Sequence, residues 1–194
     1  MHALHKLLLF HLLTSLGQDA LGGKIINGEK APENSMLYMV SLQNSRGQHV
    51  CGGFLISEDF VLTAAHCDKH LTHVILGTHD LSRVPDGNKR FIESRHTYPS
   101  YKRIRLGKDI MLLKLSEKVQ LNNNVQTIQL PTSETNIGDM KNAKVISGGP
   151  LVCNGKAVGI VSFNRAEVCD YPDFPNVYTD ISNTLPGISF ILNE

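Results

Sequence analysis

Three short segments of this chain carry residue types that could form a nucleophilic catalytic centre. His66 lies next to a cysteine at the end of one apolar run, and Asp109 stands directly before another. Ser147 is followed by Gly-Gly-Pro. A serine hydroxyl becomes a strong nucleophile when a histidine accepts its proton and a carboxylate orients that histidine. Taken singly, the three residues are better explained as a capped strand-end histidine, a surface aspartate and a turn serine, so the hypothesis requires that they meet in the fold.

The segments around these residues have the pattern of short β-strands. Apolar or alternating runs are separated by clusters of Gly, Asn, Asp and Pro, at spacings typical of all-β barrels. An all-β fold is therefore expected. The predicted strands outside the hairpin described next are residues 36–43, 50–56, 60–64, 73–76, 91–94, 110–115 and 177–179.

The strongest local signal is a hairpin in the second half of the chain. Asn154 and Gly155 lie between two β-rich runs, residues 151–153 and 156–163. Asn-Gly readily supplies the two positive φ angles that a type I′ turn requires. The sequence therefore predicts two adjacent antiparallel strands here.

Two further segments differ from the strands. Residues 121–132 are polar and rich in Asn, and they end near a proline, so they are the best candidate for a linker. Residues 181–192 could close the chain as a helix, although Pro186 and Gly187 weaken that pattern.

Taken together, the segments resemble the trypsin/chymotrypsin-type serine proteases, and most closely the granzyme and mast-cell-protease group. The candidate residues occur in the order His, Asp, Ser of the chymotrypsin class, which differs from the order in subtilisins and α/β-hydrolases. The resemblance implies a trypsin-like double β-barrel with a short C-terminal helix. It extends from Ile25 almost to the C-terminus, and the other motifs that carry it are Ile25-Ile26-Asn27-Gly28, Cys51-Gly52-Gly53 and Pro175-Asn176-Val177-Tyr178-Thr179.

The resemblance implies a role for each candidate catalytic residue. Ser147 would attack the scissile carbonyl, and His66 would take its proton and pass it to the leaving amine. Asp109 would hold the imidazole in the required tautomer and stabilise its charged form. No metal or other cofactor is expected in this mechanism.

The same resemblance implies a substrate-binding strand and an activation site. The strand residues are Ser162, Phe163 and Asn164, and Asn164 replaces a glycine that would leave the cleft wider. Cleavage between Lys24 and Ile25 would release a propeptide of residues 18–24. In the family, the freed α-amino group pairs with an aspartate directly before the catalytic serine.

The chain departs from the family at that aspartate. The family has Gly-Asp-Ser-Gly-Gly-Pro, whereas Val145 and Ile146 precede Ser147 here. Ile146 therefore replaces the activating aspartate, and Val145 replaces a glycine of the oxyanion hole. Ser147 follows Asp109 by 38 positions, against roughly 90 in chymotrypsin, so roughly 50 residues of the second barrel are missing as a block.

The missing block has several expected consequences. The second barrel is truncated and has unpaired strand edges. The base of the primary specificity pocket is absent, so no substrate side chain is implied. The resemblance implies a Cys51–Cys67 disulfide but leaves Cys153 and Cys169 to stay free or to pair with each other. Leaving a buried charge unmatched costs about 3–5 kcal/mol, so the amino terminus is expected to stay outside and the site to stay zymogen-like.

The N-terminal residues and the composition indicate the compartment. Residues 1–17 have a basic start, a short apolar centre and small residues near the end, which is typical of a secretory signal peptide. The apolar run is too short to span a bilayer. Hydrophobic residues make up 41% of the chain, which is too many for an intrinsically disordered protein. The net charge is +1, so the chain has no strong positive electrostatic field that would attract nucleic acid.

The sequence therefore predicts a secreted or secretory-granule serine endopeptidase acting on proteins or peptides. Residues 25–130 would form the first barrel and residues 131–194 the truncated second one. No nucleic-acid partner and no membrane association of the mature form are expected. Two alternatives stay open, a catalytically inactive pseudoprotease that binds partners and a non-functional splice product. A basic stretch could bind granule proteoglycan or simply be a solvated loop, and its residues are Lys102, Arg103, Arg105 and Lys108.

Overall fold

The computed structural model describes residues 31–32, 34–85, 87–132, 146–163 and 177–192. The predicted signal peptide and propeptide lie outside these ranges. The described residues form strands, three short 3-10 turns and one α-helix, α1 (Leu185–Leu192). The strands are β1 (Met39–Asn44), β2 (His49–Leu55), β3 (Phe60–Thr63), β4 (Leu71–Leu76), β5 (Lys89–Thr97), β6 (Met111–Leu115), β7 (Pro150–Cys153), β8 (Lys156–Phe163) and β9 (Val177–Asp180).

The first six strands form a closed barrel in the order β1-β2-β3-β6-β5-β4. All neighbours are antiparallel, and the barrel closes where β1 pairs with β4, for example Leu42 with Val74. Leu42, Phe54, Leu62 and Leu113 are fully buried inside it. Closure satisfies the backbone groups that an open sheet would leave at its edges.

The last three strands form a smaller antiparallel sheet in the order β7-β8-β9. The β7–β8 turn has Asn154 at φ 48° and Gly155 at φ 75°, the left-handed values that the Asn-Gly pair predicts. Ile160 of this sheet and Ile188 of α1 belong to the same buried cluster as the barrel residues. The expectation of a trypsin-like fold with one complete barrel, a reduced second half and a short C-terminal helix is confirmed.

Residues 121–132 follow the barrel in the chain and are hydrogen-bonded to both parts of the structure. The Ile128 N–H donates to the carbonyl of Leu55 in β2 at 2.9 Å, and the Ala157 N–H of β8 donates to the carbonyl of Gln129 at 2.9 Å. Ile128 is also buried. The predicted linker is thus bound to both parts of the structure.

Several boundaries differ from the sequence expectation, most of all for β5, which covers Lys89–Thr97 and not residues 91–94. Two of the differences have local reasons. The first strand begins at Met39 and not at Met36, because Met36 has φ 54° and its carbonyl accepts the Met39 N–H in a turn. The helix begins at Leu185, after a 3-10 turn over Ser182–Thr184. Pro186 lies in the first helical turn, where a missing N–H removes no helical hydrogen bond. Within the described ranges, no helix has the length and apolar character needed to cross a membrane.

Candidate active site

His66 is placed by a 3-10 turn that follows directly after a buried strand. The turn, Ala65–Cys67, begins two residues after the end of β3. A disulfide joins Cys67 to Cys51 of β2. The turn is thereby linked covalently to a neighbouring strand of the barrel.

Asp109 is fully buried just before β6. One of its carboxylate oxygens accepts the backbone N–H of His66 at 2.8 Å, and the other lies 2.7 Å from His66 Nδ1. The hydroxyl of Ser162 donates to that second oxygen. Burial by itself raises the pKa of Asp109, but the bonds from the His66 ring, Ser162 and the His66 backbone outweigh burial and hold the pKa below its ordinary value. The carboxyl group is therefore ionised at neutral pH.

The ionised carboxylate determines which nitrogen of His66 carries hydrogen. A carboxylate can only accept hydrogen bonds, so Nδ1 of the neutral ring must donate to Asp109. Nε2 is then an acceptor, and it lies 2.8 Å from the hydroxyl oxygen of Ser147. Ser147 therefore donates its hydroxyl hydrogen to His66. The side chain of His66 is 18% exposed, so one side of this assembly is open.

The loop that carries Ser147 is held between the two parts of the fold. The Gly52 N–H of β2 donates to the Ser147 carbonyl at 2.9 Å, and the Gly148 N–H donates to the Val161 carbonyl of β8 at 2.9 Å. Gly148 has φ 80°, and a Cβ there would approach the Gly52 carbonyl oxygen to 2.5 Å. Only glycine fits this position, so a glycine directly after Ser147 is required for the close approach of the two segments.

Similarity to known proteins identifies the family to which this chain belongs. The family model described as Trypsin matches residues 25–146 and 144–188. The chain belongs to the trypsin family. It is a serine endopeptidase by that membership, and the alignments to cathepsin G and duodenase-1 cover most of the length of those relatives.

Several relatives are of comparable similarity. Trypsin-3 from Homo sapiens is 34% identical over 222 aligned positions, covering 85% of this chain and 71% of the relative. Cathepsin G from Homo sapiens is 31% identical, covering 94% and 92%. Duodenase-1 from Bos taurus is 34% identical, covering 94% and 93%. Because trypsins and the other two relatives are similarly distant, the expected closer relation to the granzyme and mast-cell-protease group stays a prediction.

The alignments also agree with a missing block relative to the trypsin family. The alignment to cathepsin G spans 241 positions, although the chain has only 194 residues. The two matched segments of the family model meet at residues 144–146. This is the junction that the sequence predicts directly before Ser147.

The structure brings His66, Asp109 and Ser147 into one hydrogen-bonded chain. The predicted substrate-binding residues have different environments. Ser162 is 4% exposed and its hydroxyl is bound to Asp109, so only its backbone is left for a substrate. Phe163 is half-buried at the end of β8.

The remaining predicted residues fall into two groups. Cys153 carries a free thiol and is half-buried at the end of β7. The others lie outside the described residues, and they are Lys24, Ile25, Val145, Asn164 and Cys169.

Ile146 occupies the position of the family's activating aspartate. Its side chain is 45% exposed. One methyl carbon lies 3.3 Å from the position that a Cβ on Gly52 would occupy. The nucleophile is therefore flanked by an aliphatic side chain in contact with β2, where the family has a carboxylate.

A cluster of potential metal ligands also lies at this site, formed by Cys51, His66 and Cys67. The two sulfurs are bonded to each other, and both ring nitrogens of His66 are engaged by Asp109 and Ser147. A disulfide sulfur is not the thiolate that binds metal ions. The disulfide and the triad therefore account fully for this cluster.

Sequence reasoning missed two contacts at Asp109. Ser162 was expected to bind substrate, yet its hydroxyl binds the carboxylate. The sequence predicts Thr179 only as part of a strand, yet its hydroxyl donates to the Asp109 carbonyl at 3.2 Å. No strand alternation signals these contacts, because six consecutive residues of β8 are buried and the β8–β9 pairing is irregular at Ser162.

Proposed function

We propose that Ser147 is the nucleophile of an acyl-transfer reaction, with His66 as general base and Asp109 as the residue that orients the imidazole. The observation that carries this proposal is the unbroken series of hydrogen bonds from Asp109 through His66 to Ser147. It has the donor and acceptor directions that proton transfer from the serine requires.

The proposed reaction follows from these directions. The Ser147 oxygen forms a bond to the carbonyl carbon of a peptide as its proton moves to His66 Nε2, and the carbonyl electron pair moves to oxygen. Collapse of this intermediate expels the amine, which takes the proton from His66. Water then repeats the sequence on the acyl-enzyme and releases the acid. Asp109 stabilises the imidazolium and remains ionised throughout.

We further propose that this reaction is slow. In the family the negative oxygen is stabilised by two backbone N–H groups, those of the serine and of the residue two positions before it. Here that earlier residue is Val145, which keeps its backbone N–H but lacks the conformational freedom with which glycine presents it to the oxyanion, and Ile146 supplies no carboxylate to pair with a new amino terminus. Loss of one oxyanion donor lowers the rate by about 10²- to 10³-fold. We therefore expect an activated nucleophile with incomplete stabilisation of the transition state.

Labelling with a fluorophosphonate, which reacts at activated serines, tests the proposal. After cleavage at Lys24, we expect labelling at Ser147 at a rate about 10²- to 10³-fold below that of a family member with the Gly-Asp-Ser sequence. Ser147→Ala should abolish labelling, and His66→Ala should reduce it strongly. Labelling at the rate of the intact relative would contradict the proposed oxyanion defect, and absence of labelling would contradict the proposed triad chemistry.

The second candidate function is a binding protein that retains the cleft without cleaving its partner. The exposed aliphatic residue Ile146, beside Ser147, favours this candidate, since exposed apolar surface is suited to binding a partner. A protein that fails to label but binds peptides in a manner sensitive to Ile146→Asp would support it.

Secretion through residues 1–17 and storage in granules are also proposed, with protein or peptide substrates. The basic stretch supports a sulfated glycan as an additional partner, since its cations are all exposed. Within the described ranges, the ion pairs to carboxylates use other cations, Arg95, Lys114 and Lys118. The residues of the basic stretch are Lys102, Arg103, Arg105 and Lys108.

A further inference from the structure

The backbone of Asp109 is not held by a strand. The Ile110 N–H donates to the Lys108 carbonyl at 2.9 Å, which makes Asp109 the central residue of a three-residue turn. Lys108 has φ 56°, a left-handed value that is uncommon for a residue with a side chain. β6 begins only at Met111. The orientation of Asp109 must therefore depend on contacts outside the β6 ladder.

Thr179 of β9 supplies such a contact. Its hydroxyl donates to the Asp109 backbone carbonyl at 3.2 Å, and the residue is only 8% exposed. Over the ranges that the structure describes, no other donor to this carbonyl is present. The bond joins the smaller sheet to the barrel at the candidate catalytic aspartate.

Two hydroxyls from neighbouring strands of the smaller sheet reach Asp109. Thr179 is paired with Ile160 of β8, and Ser162 lies two residues beyond Ile160 on the same strand. The β8–β9 register shifts between Val161 and Phe163, so Ser162 lies at an irregularity of the pairing where strict strand alternation does not apply. Ser162 binds the carboxylate and Thr179 binds the backbone of the same residue.

We propose that Thr179 is a positioning residue for the triad. By fixing the peptide unit of Asp109, it keeps the carboxylate oxygen 2.7 Å from His66 Nδ1. The smaller sheet, which this chain retains from the second half of the fold, thus supplies the contact that orients Asp109. This inference rests on the proposed triad function, because the position of Asp109 matters to catalysis only if His66 acts on Ser147.

Three variants of the full chain test the inference. Thr179→Val removes the hydroxyl with little change of shape, and Thr179→Ser retains it. Thr184→Val is the matched control, because the Thr184 hydroxyl is also buried and donates to a backbone carbonyl, that of Ile181, at 2.8 Å. Comparing the two valine variants separates loss of a buried hydroxyl in general from loss of the contact to Asp109.

The first measurement is the low-field proton NMR resonance of the His66 Nδ1 hydrogen, which reports its bond to Asp109 without requiring any reaction. We expect Thr179→Val to shift or broaden this resonance, and Thr179→Ser and Thr184→Val to leave it as in the unmodified protein. The second measurement is the fluorophosphonate labelling rate of Ser147, which we expect to fall about tenfold in Thr179→Val only. Equal resonances and equal rates in the two valine variants would overturn the inference. If the unmodified protein does not label at all, the proposed function fails, while the resonance still tests the positioning of Asp109.

Discussion

Replacement of Asp109 by asparagine separates the chemistry of the site from its stability. Three donors converge on the carboxylate, the His66 backbone N–H, the His66 ring and the Ser162 hydroxyl. In Asp109→Asn, the amide oxygen can still accept the backbone N–H, but the amide nitrogen then faces the ring. The ring adapts by carrying its hydrogen on Nε2, and in that tautomer it no longer accepts the proton of Ser147.

The two expected magnitudes differ widely. A tautomer fixed in this way lowers the rate of triad chemistry by about 10⁴-fold, equivalent to about 5 kcal/mol of activation free energy. The free energy of unfolding falls by less, about 1.5–3 kcal/mol, because one hydrogen bond to a charged acceptor is lost while the shape of the side chain is kept.

The difference in stability between the two proteins should also depend on pH. Because the folded-state pKa of Asp109 is lowered, its ionised form stabilises the folded protein above the ordinary carboxyl pKa of about 3.9. This stabilisation is lost as the pH falls below that value and through the lowered pKa. We therefore expect the two unfolding free energies to converge with acidification below about pH 4.

Chemical denaturation across pH 3–7 and the fluorophosphonate labelling rate together test this reasoning. Ser162→Ala is the control, since it removes one donor to Asp109 without changing the tautomer of His66, and it should keep most of the labelling rate. If Asp109→Asn labels as fast as the unmodified protein, the carboxylate does not activate Ser147 and the argument from hydrogen-bond direction is refuted.

Two other predictions concern the disulfide next to the site and the exposed basic stretch. The Cys51–Cys67 disulfide closes a loop with a sequence separation of 16. Replacing both cysteines with alanine should lower the free energy of unfolding by about 3 kcal/mol. An unchanged denaturation midpoint would show that the cross-link adds no stability. Neutralising the basic stretch with glutamine should lower the salt concentration at which the protein elutes from heparin, because fewer cations contact sulfates; unchanged elution would indicate a merely solvated loop. The positions to change are Lys102, Arg103, Arg105 and Lys108.

The elements with strong local signals could be predicted from the sequence. Asn154 and Gly155 specify their turn because their residue types tolerate positive φ. The spacing and order of His66, Asp109 and Ser147, together with the flanking motifs, indicated the family and hence the barrel. The Cys51–Cys67 pair followed from that resemblance and not from spacing.

The remaining features depend on tertiary context. Met36 adopts a left-handed conformation that its residue type does not favour, so the late start of β1 had no local signal. The bonds from Ser162 and Thr179 to Asp109 require the smaller sheet to pack on the barrel in one particular register. Strand patterns indicate which side chains share a face but not which residue of another sheet they meet.

Closure of the six-stranded barrel means that none of its strand pairings requires a strand of the smaller sheet. His66 and Asp109 belong to the barrel part of the chain. Ser147 lies in the second half, from which a block of residues is missing relative to the family. Substitutions around the serine could therefore abolish hydrolysis and still leave the barrel strands paired, so that loss of catalytic activity and loss of structure need not coincide.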